Sequence, residues 1–330
     1  MIKINIIRNI PVPTGNILIG EGENGLLECL SLGDYGKDIN LNQNKKVEHT
    51  NLLPLEEKWV VTISTQYGCS MGCKFCDVPL VGDGRNATYN DLKNEIVEAL
   101  KLHPEVLSTK RLNIHYARMG EPTFNKNILD LTLVLHKELR PYIGNSLIHP
   151  VVSTMLPRKN KFLNEFLNYW AEIKNYRYYG DAGLQFSINS TSDEEREDMF
   201  NGSSLSLKEI SDIGNMLDSP KGRKYTLNFA VAEYEIDPEK LLRLFSPKKF
   251  IVKLTPMHVT KTAINNKVET LGDYTEPYPY EHHAKNLRDA GFDVLVFIAS
   301  REEDEGRITC GNAILSGTEP FGKGLIHYNT

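Results

Sequence analysis

Residues 59–77 read WVVTISTQYGCSMGCKFCD, a compact apolar strand that runs directly into three cysteines. Cys69, Cys73 and Cys76 stand in a C-x3-C-x2-C spacing. Three thiolates this close can take three corners of a cubane iron–sulfur cluster. The fourth iron then has no protein ligand and is open to a chelating substrate. A structural zinc site would need a fourth ligand to close its tetrahedron. Cys29, His49 and Cys310 are all remote in sequence. The segment therefore reads as the site of a [4Fe–4S] cluster.

Outward from the cysteines, apolar strands alternate with amphipathic helices. The helical stretch 89–103 places Leu92, Ile96, Val97 and Leu100 on one face, with Asn90 as its expected cap. Strands follow at 112–118, 149–154, 184–190, 226–232, 250–257 and 293–300. Helices are expected at 127–139, 161–173, 206–217, 238–245 and 280–291. Such alternation implies parallel βαβ units. The expected fold class is α/β: a partial (β/α)6 barrel over 59–330, preceded by a small β-rich extension over 1–58. Ligands of such folds sit at the C-terminal ends of the strands, where the cysteines fall. The polar segment 259–276 is too long for a simple connection and reads as a lid or an ordered substrate loop. The stretch before Cys310 reads as an acidic loop.

Composition narrows the function classes. The 330 residues are 40% hydrophobic and 25% charged, ordinary for a globular chain. No apolar run is long enough for a membrane span, and the N-terminus lacks the features of a signal peptide. Five cysteines, three of them clustered, suit metal ligation in a reducing cytoplasm better than a disulfide framework. The formal charge of −5 argues against a large basic nucleic-acid surface.

The cysteine spacing resembles that of the radical S-adenosylmethionine (radical SAM) superfamily. That resemblance implies the superfamily's barrel and a cluster whose open iron binds the amino and carboxylate groups of S-adenosylmethionine. Reductive cleavage then yields a 5′-deoxyadenosyl radical, and the electron would come from a donor such as flavodoxin or ferredoxin. Further segments are similar to the RlmN/Cfr-type methylases, which methylate an sp2 carbon of adenosine in RNA. These are GRNATYNDLKNEI (84–96), Met119-Gly120-Glu121-Pro122-Thr123-Phe124-Asn125, Ser153-Thr154, Ser187-Ile188-Asn189 followed by SDEERED, and Cys310-Gly311-Asn312. The resemblance runs from about Val47 to Leu315.

By that resemblance, Gly120, Glu121, Ser153, Ser187, Ile188 and Asn189 contact S-adenosylmethionine. His258, in Pro256-Met257-His258, stands where the family has a further cofactor contact. Cys310 corresponds to the cysteine that is methylated and then passes on the one-carbon unit. Glu48, in Val47-Glu48-His49, resembles the family's proposed proton acceptor. Two features depart from the pattern. Thr62 occupies the position, seven residues before Cys69, of a family cysteine that helps release the covalent adduct. The family's helical RNA-binding domain has no counterpart in residues 1–46. The methyl acceptor is thus either RNA or a smaller nucleotide-like or heteroaromatic molecule. Competing readings are non-methylating radical chemistry on the same scaffold and an iron–sulfur sensing protein.

Overall fold

The computed structural model describes residues 4–34, 52–268 and 280–320. Three N-terminal strands, β1 (Asn5–Val12), β2 (Gly15–Gly22) and β3 (Gly25–Leu32), form an antiparallel meander. Next comes β4 (Trp59–Ile63), then a short hairpin of β5 (Gln66–Gly68) and β6 (Asp83–Asn86) that brackets the cysteines. The remaining strands are β7 (Leu112–Tyr116), β8 (Ile148–Thr154), β9 (Gly183–Ser187), β10 (Tyr225–Val231), β11 (Phe250–Pro256) and β12 (Val294–Val296). One ten-stranded sheet runs in the order β1-β2-β3-β4-β7-β8-β9-β10-β11-β12. From β4 to β12 every pairing is parallel. This is the expected partial α/β barrel.

The helices are α1 (Tyr89–Leu100), α2 (Asn127–Ile143), α3 (Leu163–Glu172), α4 (Asp193–Met199), α5 (Leu207–Met216), α6 (Pro238–Leu244), α7 (Lys261–Asn265), α8 (Tyr280–Asp289) and α9 (Arg301–Glu305). Strand alternation explains their placement. In β10, Tyr225, Leu227, Phe229 and Val231 are buried, whereas Thr226, Asn228 and Ala230 between them are only partly so. The apolar set packs outward under helices, and the polar set lines the concave inner face. Trp170 on α3 anchors that outer layer. It is fully buried, donates to the Gly183 carbonyl at 3.0 Å and meets Tyr116 edge-on.

Some expectations need correction. The cap of α1 is Thr88, not Asn90: the Thr88 hydroxyl accepts from Asp91 N, and the Asp91 carboxylate accepts from Thr88 N. The acidic stretch before Cys310 is not a loop throughout. Ser300 caps it in a reciprocal box with Glu303, and the acidic first turn suits a helix N-terminus, so it winds into α9. The SDEERED segment forms the additional helix α4, capped by Ser192. The N-terminal strands share the barrel's sheet, because Leu30 of β3 pairs with Thr62 of β4. Within segment 259–276, residues 261–265 are the helix α7, and 269–276 fall outside the described residues. No helix among the described residues is long and apolar enough to cross a membrane.

Trp170→Ala removes an indole from the closed layer between β7, β9 and α3. It should cost about 3–5 kcal/mol in unfolding free energy, read by chemical denaturation.

Candidate active site

The cysteine loop leaves β5 through Gly68, whose φ is +77°. A Cβ there would lie 2.3 Å from the Gly82 carbonyl oxygen, so only glycine fits. All three cysteines are unpaired and partly buried. Burial raises the Cys69 thiol to about 11 and pushes Cys73 and Cys76 higher, Cys73 also feeling Cys69 and Cys76 feeling both Cys73 and Cys69. Met71, Met155, Met199 and Phe200 form a dry patch against Cys69, Cys73 and Phe75. The loop is fastened from three sides. Lys74 N donates to Met199 O at 2.9 Å, and Asp77 N donates to Gly311 O at 2.8 Å. The fully buried Asp77 carboxylate accepts from Lys261 N and Thr262 N at the start of α7.

The strand ends beside it carry the other sequence-predicted residues. Gly120, after β7, has φ +93°, and a Cβ there would come within 2.5 Å of the Gln66 side chain. Glu121 is 3% exposed. Its Oε1 accepts from the Thr123 amide and hydroxyl at 3.1 and 2.7 Å, and its Oε2 accepts from Met155 N at 3.0 Å. Burial raises its pKa, and these bonds together with one from the Thr154 side chain oppose the rise. The carboxylate thus ties the end of β7 to that of β8. A contact with a ligand amino group requires it to exchange one of these bonds.

Ser153 sits on the inner face of β8, opposite Gln185. Ser187 is partly exposed at the end of β9, while Ile188 is fully buried in the core. Asn189 holds a left-handed φ of +61°, and its Oδ1 accepts from Ala230 N at 3.0 Å. Behind them the buried Arg196 of α4 donates to the carbonyls of Ser187 and Ile188 and to the Ser204 hydroxyl. Asn125, the last residue of the Met119–Asn125 motif, donates to the carbonyls of Thr65 and Ala87, both at 2.8 Å.

The C-terminal segment brings Cys310 to this same edge. Cys310 is exposed, and the adjacent Gly311 packs against the cysteine loop: a Cβ on Gly311 would meet Phe75 O at 3.1 Å and Cys76 Cα at 3.8 Å. Surrounding protein raises the Cys310 thiol, and Lys253 and Arg118 pull it back down. His258 is 9% exposed, with Nδ1 3.3 Å from the Asp304 carboxylate, so it belongs to the layer that carries the Cys310 segment. Glu48 lies outside the described residues.

Sequence reasoning missed a different carboxylate. Glu28 of β3 is fully buried and ion-paired with Arg118 at the end of β7. The available signal was one acid inside the apolar strand LLECL (26–30), a placement that demands a buried partner.

The radical SAM superfamily pattern matches residues 63–217. That match marks just under half of the chain as a radical SAM domain. The similarity indicates an enzyme of the radical SAM methyltransferase class. A probable dual-specificity RNA methyltransferase RlmN of Clostridium perfringens is 25% identical over 85% of this chain and 73% of its own length. The RlmN of Aliarcobacter butzleri is 25% identical over 72% of this chain and 59% of its own. A radical SAM methyltransferase from Sphaerobacter thermophilus shares the fold, with a TM-score of 0.65 and 18% identity over 94% of this chain and 81% of that one.

The radical SAM cofactors are a [4Fe–4S] cluster and S-adenosylmethionine, and the donor set suits the cluster. Three free thiols stand within eight residues of one loop, and an apolar patch against Cys69 and Cys73 protects such a cluster from water. His115, on the inner face of β7, is pushed down to about 3 by burial and by Lys253, Arg223, Lys58 and Arg111. It pairs in register with Thr62 of β4.

The unfolded chain protonates this histidine near its ordinary 6.5, and the folded chain does so only near 3. His115 therefore withdraws stability as pH falls from about 6.5 toward 3. NMR titration should show a neutral His115 ring at pH 5, and His115→Asn should move the acid-unfolding midpoint to lower pH.

Proposed function

We propose that this enzyme is a radical S-adenosylmethionine methyltransferase that transfers a methyl-derived carbon through Cys310 to an sp2 carbon of a nucleotide-like or heteroaromatic acceptor. The observation that carries this reading is the contact between the Cys310–Gly311 segment and the cysteine loop, through Asp77 N and Gly311 O at 2.8 Å. Residues 234 positions apart in sequence meet at one barrel edge.

In this reading Cys69, Cys73 and Cys76 hold the cluster. When bound, it supplies the electron that cleaves S-adenosylmethionine. Gly120 lets that molecule approach the backbone, and Ser153 and Ser187 offer hydroxyls from the inner face. Glu121 holds the ends of β7 and β8 in register beneath it, and Asn189 and Ile188 fix the turn that carries Ser187. The Cys310 thiolate attacks the methyl carbon of a sulfonium. The sulfur–methyl bond breaks, a thioether forms on Cys310, and S-adenosylhomocysteine leaves. Lys253 and Arg118 favour the thiolate electrostatically. Lys253, at an inner-face position of β11, suits an acceptor that carries phosphate, as RNA and free nucleotides both do. The RNA named for the relatives is one such acceptor. A flavodoxin- or ferredoxin-like donor and a cytoplasmic setting complete the reading.

A second reading, radical chemistry without methyl transfer, is favoured by one observation. Thr62 replaces the family's second thiol, and no other cysteine takes its place. Cys29 points toward α1, with Sγ 3.6 Å from the Glu95 carbonyl oxygen, on the opposite side of its strand from Leu30, the residue paired with Thr62.

Two measurements test these readings. Replacing any one of Cys69, Cys73 or Cys76 by alanine should abolish the cluster's visible absorbance and all S-adenosylmethionine cleavage; retained cleavage overturns the cofactor assignment. Mass spectrometry should find one added methyl on the Cys310 peptide of wild-type protein. Its absence, with 5′-deoxyadenosine formed and no S-adenosylhomocysteine, replaces the first reading by the second. Anaerobic incubation with labelled S-adenosylmethionine and separate pools of RNA and nucleotides then identifies the acceptor.

A further inference from the structure

Glu28 and Arg118 lie 90 residues apart and are both sealed from solvent, with side chains 0% and 2% exposed. Arg118 Nε donates to Glu28 Oε1 at 2.6 Å, and Nη2 lies 2.5 Å from the same oxygen. The pair does not stop at itself. Glu28 Oε1 and Oε2 also accept from the backbone amides of Ile314 and Leu315 at 3.3 and 3.1 Å. Arg118 Nη2 donates to the backbone carbonyl of Arg307 at 2.9 Å. One ion pair therefore grips the chain three residues before Cys310 and four and five residues after it.

We propose that Glu28 and Arg118 are positioning residues that hold Cys310 in reach of the cofactor by clamping the backbone on both sides of it. This rests on the methyl-carrier reading of Cys310. The geometry favours a clamp over a simple core staple. A buried ion pair adds little net stability over an apolar replacement, because desolvating two charges offsets their attraction. Here the hydrogen-bonding capacity left over is spent on the backbone of one segment, the segment that carries the thiol. Two apolar anchors, Ile308 and Ile314, pack on Ile17, Ile19, Leu30 and Leu32 of the meander and flank Cys310 in the same way. Neither fixes the direction in which Cys310 points, whereas hydrogen bonds to amides and carbonyls do. Arg118 also stands at the end of β7, two residues before Gly120. The clamp therefore references the thiol to a strand end that faces the cofactor.

Full-length wild type, Glu28→Ala, Glu28→Gln and Arg118→Lys should be compared. Arg118→Lys keeps the cation and loses the fork; Glu28→Gln keeps the shape and an acceptor and loses the charge, so these two serve if Glu28→Ala does not fold. In cluster-free protein, hydrogen exchange of the peptide spanning 308–315 should quicken about tenfold or more, with the peptide spanning 183–199 unchanged. In reconstituted enzyme, Cys310 methylation per S-adenosylmethionine cleaved should fall about tenfold. A merely structural role would lower both quantities together and leave their ratio at the wild-type value. An unchanged ratio, or unchanged exchange at 308–315, overturns the clamp. Unmethylated Cys310 in wild type instead overturns the methyl-carrier reading, and the exchange experiment still decides whether Glu28 and Arg118 hold the segment.

Discussion

Parallel pairing is the constraint on which everything else in this protein depends. From β4 to β12 the hydrogen-bonding register turns every strand the same way. The C-terminal ends of seven strands therefore share one edge, and each connection must return outside the sheet. Outer strand faces become apolar to receive helices, and inner faces are left to polar side chains such as Thr62, His115, Ser153 and Asn228. The Gly120–Glu121 turn and the Ser187 turn converge because they follow strands that end together, and the β5–β6 hairpin carries the cysteine loop on from the end of β4.

Convergence at an edge does not fix loops to the precision chemistry needs. Buried polar side chains complete that task here. Asp77 joins the cysteine loop to α7, Asn125 joins the segment after β7 to the carbonyls of Thr65 and Ala87, and Glu121 joins β7 to β8. Arg196 gathers the carbonyls at the end of β9, and Glu28 with Arg118 gathers the C-terminal segment. Each is an ionisable or amide group that desolvation penalises unless it is satisfied, and each bonds the backbone of a neighbouring loop. A wrong loop conformation would strand a buried polar group, so the native one is selected by a penalty on its alternatives.

Periodicity and spacing are local properties, and what they govern was legible. The strand WVVTI, the helix at 89–100 and the alternation to β12 follow from residues a few positions apart. The cysteine spacing carries its chemistry within eight residues. Boundaries that rest on side-chain capping were less legible: Thr88 and Asn90 are both good caps, and only the reciprocal bond with Asp91 distinguishes them. Long-range pairs were not legible at all. Nothing in LLECL names Arg118 as the partner of Glu28, since the pairing is created by β3 joining β4 and β4 joining β7. Likewise the Glu121 carboxylate, which suggests a ligand contact in sequence, is largely occupied by the chain itself.

The meander also bears on Thr62. Strand alternation puts Thr62 on the inner side of β4, beside Leu30 and His115, while Cys29 faces α1. Moving Cys29 to the inner face would require a one-residue register slip of β3. That slip would also carry Leu30 and Leu32 out of their contact with Ile308 and Ile314, and would break the Glu28 contacts to Arg118, Ile314 and Leu315. The register that positions Glu28 thus forbids Cys29 from replacing the missing thiol. Any release of an adduct from Cys310 must use a group other than a second cysteine, because the remaining three thiols are those of the cluster loop.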